Sequence, residues 1–331
     1  MKQVVRNVKI IGTGSYTPDT IYTNEYLETV IPTSAEWIYD NLGIKERHIA
    51  ASNEATSDMA SKAGVMAIDN AGLKATDIDL IIVATATPDR KAPSTAAIVQ
   101  HKTGAKNAAA FDVSAVCSGF LFAMSVASQY IASGVYDNVL VIGADKFSSL
   151  IDWKRRDAVF FGDGAGAAVI SASNSTEGFL AYRLYTSTEE EMLGFTVPAG
   201  GSEMPITEDV LNEGLQYFQM NGKSVFKSAT EALPKAINQV LTDTGLTIDD
   251  IDLMIPHQPS IKILEKTAEI IGLPFEKVMT NMDKYANTSS ATIPILLDEV
   301  HRSGKIKKGD IILFAAVGSG WTYGASIIKW A

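Results

Sequence analysis

The chain has 331 residues, enough for about two domains of roughly 150 residues each or for one large two-part fold. With 46% hydrophobic and 20% charged residues it carries the apolar mass of a packed core, which excludes a disordered chain. Its 28 Lys and Arg against 38 Asp and Glu leave a net charge of −10, the wrong sign for a duplex-binding surface, so no nucleic-acid partner is expected.

The opening segment MKQVVRNVKIIG interleaves charge with apolar residues and lacks a small-residue cleavage pattern, so no signal peptide is expected. Short runs rich in Val and Ile predict strands over 8–11, 80–84, 108–113, 139–142 and 167–171, with helical stretches between them. The most apolar helix, 120–131, contains Ser125, Ser128 and Gln129 and is too short to span a bilayer, so no membrane association is expected. Segment 188–216 has the least periodicity and reads as a surface excursion. Further strands are predicted over 253–255, 278–281, 311–315 and 325–329. Uninterrupted apolar strands alternating with helices indicate an α/β fold with buried sheets. The single cysteine, Cys117, cannot form an intrachain disulfide, which fits a reducing cytoplasm. The four histidines share no metal-ligand spacing, so no metal is expected.

The chain repeats itself. AGLKATDIDLII at 71–82 aligns with TGLTIDDIDLMI at 244–255, an offset of 173 at which seven of twelve residues are identical. GAAVI at 166–170 is echoed by GASII at 324–328. Two αβ units sharing generic turn chemistry would give part of this pattern. An internal duplication gives all of it, with halves at 1–173 and 174–331 and ligands favoured where strand ends of the two halves meet.

Three residues at strand ends can carry chemistry. Cys117, in FDVSAVCSGF, lies at a small-residue turn between a strand and a helix of about four turns, where the helix N-terminus favours a thiolate. A buried structural thiol is the competing reading. His257, in IPHQPS, follows a strand in a loop stiffened by Pro256 and Pro259. Asn287, in YANTSSATIP, sits in a polar turn that ordinary helix-capping chemistry would also explain. A Cys-His-Asn set suits a protease or an acyltransferase. GDGAGAA at 162–168 and VGSGWTYGAS at 317–326 each precede a strand and not a helix, so neither is a dinucleotide fingerprint. Both read as tight turns that bring backbone near a ligand, and the second can offer N–H groups to an oxyanion.

With IIGTGSYTP at 10–18, TSAEWIYDNLGIKERHIA at 33–50, FGDGAGAAVI, PHQPSIKIL and GSGWTYGASIIKW, the sequence resembles the β-ketoacyl-acyl carrier protein synthase III family of thiolase-superfamily condensing enzymes over nearly its whole length. The resemblance implies a duplicated five-layer αβαβα thiolase-like fold, a cytoplasmic homodimer, and no cofactor beyond the substrates acyl-CoA and malonyl-acyl carrier protein. It implies that Cys117 takes the acyl group, that His257 and Asn287 stabilise the enolate left by decarboxylation, and that the backbone N–H groups of Cys117 and Ser319 hold the oxyanion. Trp37 and Arg155 match the CoA adenine site, and Met220, Gly222 and Ser260 match the pantetheine path. Lys223, Lys227, Lys262 and Lys266 would dock an acidic carrier protein. Ala92 matches the partner-borne end of the acyl pocket.

The sequence departs from the family pattern in places. Asn41 replaces an Arg of the CoA site, Lys262 replaces an Arg, HQPS replaces HQAN, GSGWTYG replaces GGGFTWG, and Ala92 replaces a bulky residue. These changes suggest an altered, longer primer or a secondary-metabolite pathway. A carrier-binding scaffold without catalysis is the remaining alternative, and an intact Cys117, His257 and Asn287 set argues against it.

Overall fold

The computed structural model describes residues 6–187 and 193–331. Five strands form the first sheet in the order Asn7–Tyr16, Gly164–Ser173, Asn138–Asp145, Leu80–Ala84, Ala109–Val113. The last three run parallel, and the first two pair antiparallel. The second sheet repeats the order and sense: Gly178–Thr186, Thr322–Lys329, Ile311–Gly318, Leu253–Pro256. All five residues of Leu80–Ala84 are buried because helices cover both faces, which explains the unbroken apolar run.

Alternation along each strand sorts its side chains between layers. Ile81 and Val83 join an outer core with Met59, Ala63 and Ala67 of the helix Thr56–Asn70. Leu80, Ile82 and Ala84 join a central core with Phe120, Leu121 and Met124 of Gly119–Ala132 and with Ile293 and Leu296 of Thr292–Arg302. Ile312, Phe314 and Ala316 of the second sheet meet the same central helices, while Leu313 and Ala315 turn outward to Leu233 and Ile237 of Gly222–Thr244. The result is the five-layer αβαβα arrangement expected from the sequence. Among the described residues no helix is long and apolar enough to cross a membrane.

The 173-residue offset is visible as geometry. Asp79 donates its N–H to Asn138 O and accepts the Asn138 N–H on its carboxylate, at 2.9 Å each. Asp252 makes the same two bonds with Ile311, at 3.0 and 2.8 Å. The strand expected over 278–281 does not form. Val278 makes an isolated parallel bridge to Met254, and Met279 donates to Met254 O at 2.9 Å. The chain then leaves the sheet because Asn281 N–H turns to Gln258 Oε1 (3.1 Å) and the short helix Met282–Tyr285 begins.

Segment 188–216 is also more than a surface excursion, although 188–192 lie outside the described residues. Its tip is exposed, but Phe195, Ala199 and Val210 are buried, and Phe195 stacks edge-on against Phe218 at 4.3 Å between centroids. It caps the outer core of the second half together with residues 20–49, which contribute Leu27, Ile38 and Leu42. Neither cap has the regular period that would mark it in the sequence.

The glycines at 164 and 166 do not form a ligand turn either. They lie in the strand Gly164–Ser173, where a Cβ at Gly166 would sit 2.5 Å from Ile295 N. Gly143 is tighter still: a Cβ there would lie 2.2 Å from Ser290 O. Gly143→Ala should therefore cost about 1–3 kcal/mol by overpacking against backbone. Gly201→Ala, with nothing within 4 Å of the new carbon, should be nearly neutral. Urea unfolding midpoints compare them, and equal midpoints would show that the Ser290 turn moves freely off the sheet.

Candidate active site

The edge strand Ala109–Val113 leads into a sharp elbow. Val116 is left-handed (φ 46°), an uncommon and strained conformation for a β-branched residue, and Cys117 follows inside a single 3₁₀ turn before Gly119–Ala132 begins. Ser118 Oγ lies 2.8 Å from Ala115 O and 2.7 Å from Thr322 Oγ1, which ties this elbow to the second sheet. Cys117 is 3% exposed, and burial pushes its thiol up to about 12. That corrects the expectation of a resting thiolate: loss of water around the sulfur outweighs the helix N-terminus. The Sγ atom donates to Ser289 Oγ at 3.8 Å.

His257 follows the strand Leu253–Pro256, and its N–H reaches Ala315 O at 2.8 Å. Its Nδ1 lies 2.7 Å from Thr292 Oγ1, so Nε2 is the nitrogen left for the cavity. Burial drives the imidazole pKa down to about 3, and the ring is neutral near pH 7. Asn287 is clamped by its backbone, donating to Phe160 O (3.0 Å) and accepting from Gly162 N–H (3.1 Å). Its Oδ1 accepts the Ser289 N–H at 2.8 Å, which leaves the NH₂ end for a ligand.

The Asn287 turn is held against the first half by Asp145, a fully buried carboxylate. Oδ1 of Asp145 takes Thr85 Oγ1, Ala86 N, Thr87 N and Thr87 Oγ1 at 2.7–3.1 Å. Oδ2 takes Ser290 N at 3.0 Å and Ser290 Oγ at 2.7 Å. Asp145, Ser289 and Thr292 were not singled out from the sequence; Ser289 and Thr292 lie inside the turn that resembled simple capping chemistry.

These elements enclose a cavity of about 710 Å³ that brings together Cys117, His257, Asn287, Ser319, Trp37, Met220, Gly222, Ser260, Lys223 and Lys262. Phe161, Phe195, Val225, Ala229, Val317 and Trp321 supply apolar wall. Gly318 packs so closely that a Cβ would meet Cys117 N at 3.0 Å, which brings the Gly318–Ser319 backbone beside that N–H. Lys262 Nζ donates to Asn41 Oδ1 at 2.6 Å, so a cation stands at the mouth where Asn41 supplies none.

Four expected residues lie outside the lining. Arg155 turns to Asp157 (Nη2–Oδ2 2.5 Å), and its neighbour Arg156 stacks on Trp37 at 3.8 Å from the ring centroid. Ala92 is exposed and away from the cavity. Lys227 and Lys266 stand one turn beyond Lys223 and Lys262, with Lys266 paired to Glu269 at 2.9 Å. Among the described residues no cluster of His, Cys, Asp or Glu could hold a metal ion.

A family model described as 3-oxoacyl-[acyl-carrier-protein (ACP)] synthase III matches residues 111–188, and one described as its C-terminal part matches residues 241–330. The chain is 49% identical over 324 residues to a β-ketoacyl-[acyl-carrier-protein] synthase III of Caldanaerobacter subterraneus, covering 97% of each chain. It superposes on the crystal structure of 3-oxoacyl-[acyl-carrier-protein] synthase III from Aquifex aeolicus with a TM-score of 0.91 and 42% identity, covering 98% of this chain and 100% of that one. It is also similar to the priming β-ketosynthase of the R1128 polyketide biosynthetic pathway, with a TM-score of 0.92 and 29% identity, covering 100% of this chain and 98% of that one.

The neutral, buried His257 has a consequence for stability. Its folded pKa is about 3 against the 6.5 of a solvated imidazole, so below 6.5 the unfolded state binds a proton that the folded state refuses. Stability from this group therefore falls as pH drops from 6.5 toward 3, at up to about 1.4 kcal/mol per pH unit. Urea unfolding from pH 7 to pH 5 should show a shallower loss for His257→Gln than for the native chain, and parallel curves would mean that His257 protonates without cost.

Proposed function

We propose that this chain, which belongs to the 3-oxoacyl-[acyl-carrier-protein] synthase III family, condenses an acyl-CoA primer with malonyl-acyl carrier protein to give β-ketoacyl-acyl carrier protein and CO₂, the opening step of fatty acid synthesis. The observation that carries this reading is the meeting of Cys117, His257 and Asn287 in one apolar cavity whose mouth carries Trp37, Lys223 and Lys262.

Cys117 Sγ attacks the acyl-CoA carbonyl. A sulfur–carbon bond forms, the CoA sulfur–carbon bond breaks, and the thiol proton leaves with CoA. The N–H groups of Cys117 and Ser319 stabilise the oxyanion. The malonyl thioester then enters. Its bond to CO₂ breaks, and the electron pair passes to the thioester oxygen, where His257 Nε2–H and the Asn287 NH₂ group receive the charge. For this the Thr292 hydroxyl, which also lies 3.1 Å from Ser289 O, donates to His257 Nδ1, and Nε2 carries the proton of the neutral ring. The enolate carbon attacks the acyl-Cys117 carbonyl, a carbon–carbon bond forms, the carbon–sulfur bond breaks, and the released thiolate takes a proton from water to restore the thiol. No cofactor enters the scheme; acyl-CoA and malonyl-acyl carrier protein supply all the reacting groups.

The CoA reading uses Arg156 in place of Arg155, because Arg156 lies on the Trp37 ring, and it uses Lys262 where Asn41 lacks charge. Met220, Gly222 and Ser260 flank the path inward. A soluble cytoplasmic homodimer fits this chemistry. Ala109–Val113 is an unpaired sheet edge with half-buried Phe111 and Val113, a surface that a second copy would cover. Ala92 lies just before the helix Thr95–Thr103, whose first N–H groups bond Asp112 of that edge, so it would reach the cavity of the partner and leave room there for a primer longer than acetyl. The division at 1–173 and 174–331 follows the duplicated sheets.

The half-reactions test the mechanism separately. Cys117→Ala should show no acylation by mass spectrometry and no condensation. His257→Ala and Asn287→Ala should still acylate from acyl-CoA but lose about 10²–10³ in malonyl decarboxylation. Loss of acylation in folded His257→Ala would make His257 the base for Cys117.

The carrier surface has its own test. Reversing Lys227 and Lys266 to Glu, both outside the cavity lining, should raise the KM for malonyl-acyl carrier protein several-fold at low salt and leave acylation by acyl-CoA unchanged. An unaltered KM would place docking elsewhere.

A further inference from the structure

Ser289 bonds Asn287 and Cys117 directly and reaches His257 through Thr292, and it does so from a conformation that favours glycine. Its φ is 54°, in the left-handed region where a side chain carries strain. Its N–H fixes Asn287 Oδ1 at 2.8 Å. Its carbonyl accepts the backbone N–H of Thr292, the residue that holds His257 Nδ1. A glycine would make both of those bonds at lower conformational cost. What the serine adds is a hydroxyl, and that hydroxyl lies 3.8 Å from Cys117 Sγ.

We propose that Ser289 is a positioning residue for the nucleophile, its hydroxyl turning from acceptor of the Cys117 S–H to donor toward the thiolate as the sulfur attacks. The inference rests on Cys117 being the nucleophile. It adds a residue that the Cys-His-Asn set does not contain. The resting thiol needs an acceptor in a dry site, and the developing thiolate needs a donor; one rotatable O–H supplies both. The alternatives around the sulfur are poor. Asp145, the nearest buried carboxylate, opposes the thiolate by its charge, and its oxygens are engaged with Thr85, Ala86, Thr87 and Ser290. His257, the buried ionisable group that lines the cavity with Cys117, is neutral and has its Nδ1 on Thr292. The helix Gly119–Ala132 carries no charged side chain. In the step itself the sulfur–carbon bond to the acyl group forms, the CoA–acyl bond breaks, and the Cys117 proton ends on the CoA sulfur; the Ser289 proton is only lent as a hydrogen bond.

The test reads Cys117 directly, without an acyl substrate. Iodoacetamide alkylation of the sole thiol is followed from pH 6 to pH 11 in the native chain, Ser289→Ala and Ser289→Gly. Both variants lose the hydroxyl and keep the backbone bonds. Glycine also relieves the left-handed strain, so its melting temperature should equal or exceed the native value. A hydrogen bond to a charged group accounts for about one pH unit, so in both variants the rising limb of the log rate against pH should be displaced to higher pH. The rate at pH 7.5 should fall by about threefold to tenfold, the smaller figure allowing for the greater intrinsic nucleophilicity of a more basic thiolate. A profile in either variant that superposes on the native one overturns the proposal, and so does an equal loss in Ser289→Thr, which keeps the hydroxyl, since misplacement of the sulfur alone would do that. Because no acyl-CoA is present, failure here is distinguishable from failure of the condensation scheme, which the acylation of the native chain reports separately.

Discussion

Asp145 ends a strand of the first sheet, has no solvent exposure, and has no cation among the partners of its two oxygens. One oxygen collects donors from the 85–87 loop of its own half, and the other takes the backbone and hydroxyl of Ser290 from the opposite half. Burying a carboxylate this way is tolerable only because its lone pairs are filled. The consequence is positional. Ser290 cannot retreat without orphaning the carboxylate, and it cannot advance because its carbonyl already rests against Gly143. The turn that carries Asn287 and Ser289 is thereby fixed against the half that carries Cys117.

Duplication supplied the parts for this arrangement. Val116 and Ser289 are separated by 289 − 116 = 173 residues, the same offset as the repeated αβ unit, and both adopt the left-handed conformation at the entrance to a central helix. The same elbow therefore occurs twice. In the first half it presents Cys117; in the second it presents Ser289 and, just before it, Asn287. The two elbows face each other because their helices lie side by side between the sheets, where each buries large apolar side chains at about 1.5–3 kcal/mol apiece. A thiol facing a buried amide and a buried hydroxyl follows from packing two copies of one turn.

This origin also explains what the sequence makes legible. The repeated Asp-Leu pattern at 79–80 and 252–253 is local, and it encodes a bond pair that recurs in both halves. Cys117, His257 and Asn287 could be picked out because each is a reactive or amide side chain at a strand end or polar turn. The features that were not legible depend on partners far along the chain. An apolar run at 278–281 looks like a strand, yet Gln258 draws Asn281 away from the sheet. Arg155 and Arg156 are adjacent and chemically alike, and Asp157 decides which of them is free to lie on Trp37. Asp145 and Ser289 have no local pattern at all; their roles exist only after the halves meet.

Burial then decides the style of chemistry. Cys117 is pushed up to about 12 and His257 down to about 3, so the two rest as neutral thiol and neutral imidazole and not as an ion pair. A pocket of this kind is a poor place to generate a carbanion by deprotonation, since no strong base stands in it. It is a good place to receive charge briefly, because uncharged donors that are already oriented need no rearrangement when the charge appears. Loss of CO₂ meets that condition: it leaves an electron pair behind without asking any residue to accept a proton from carbon. The apolar walls around Phe161, Phe195 and Val317 strengthen each such hydrogen bond by excluding water. The same exclusion raises the cost of a Cys117 thiolate, so negative charge at this sulfur is tolerable only where hydrogen bonds meet it.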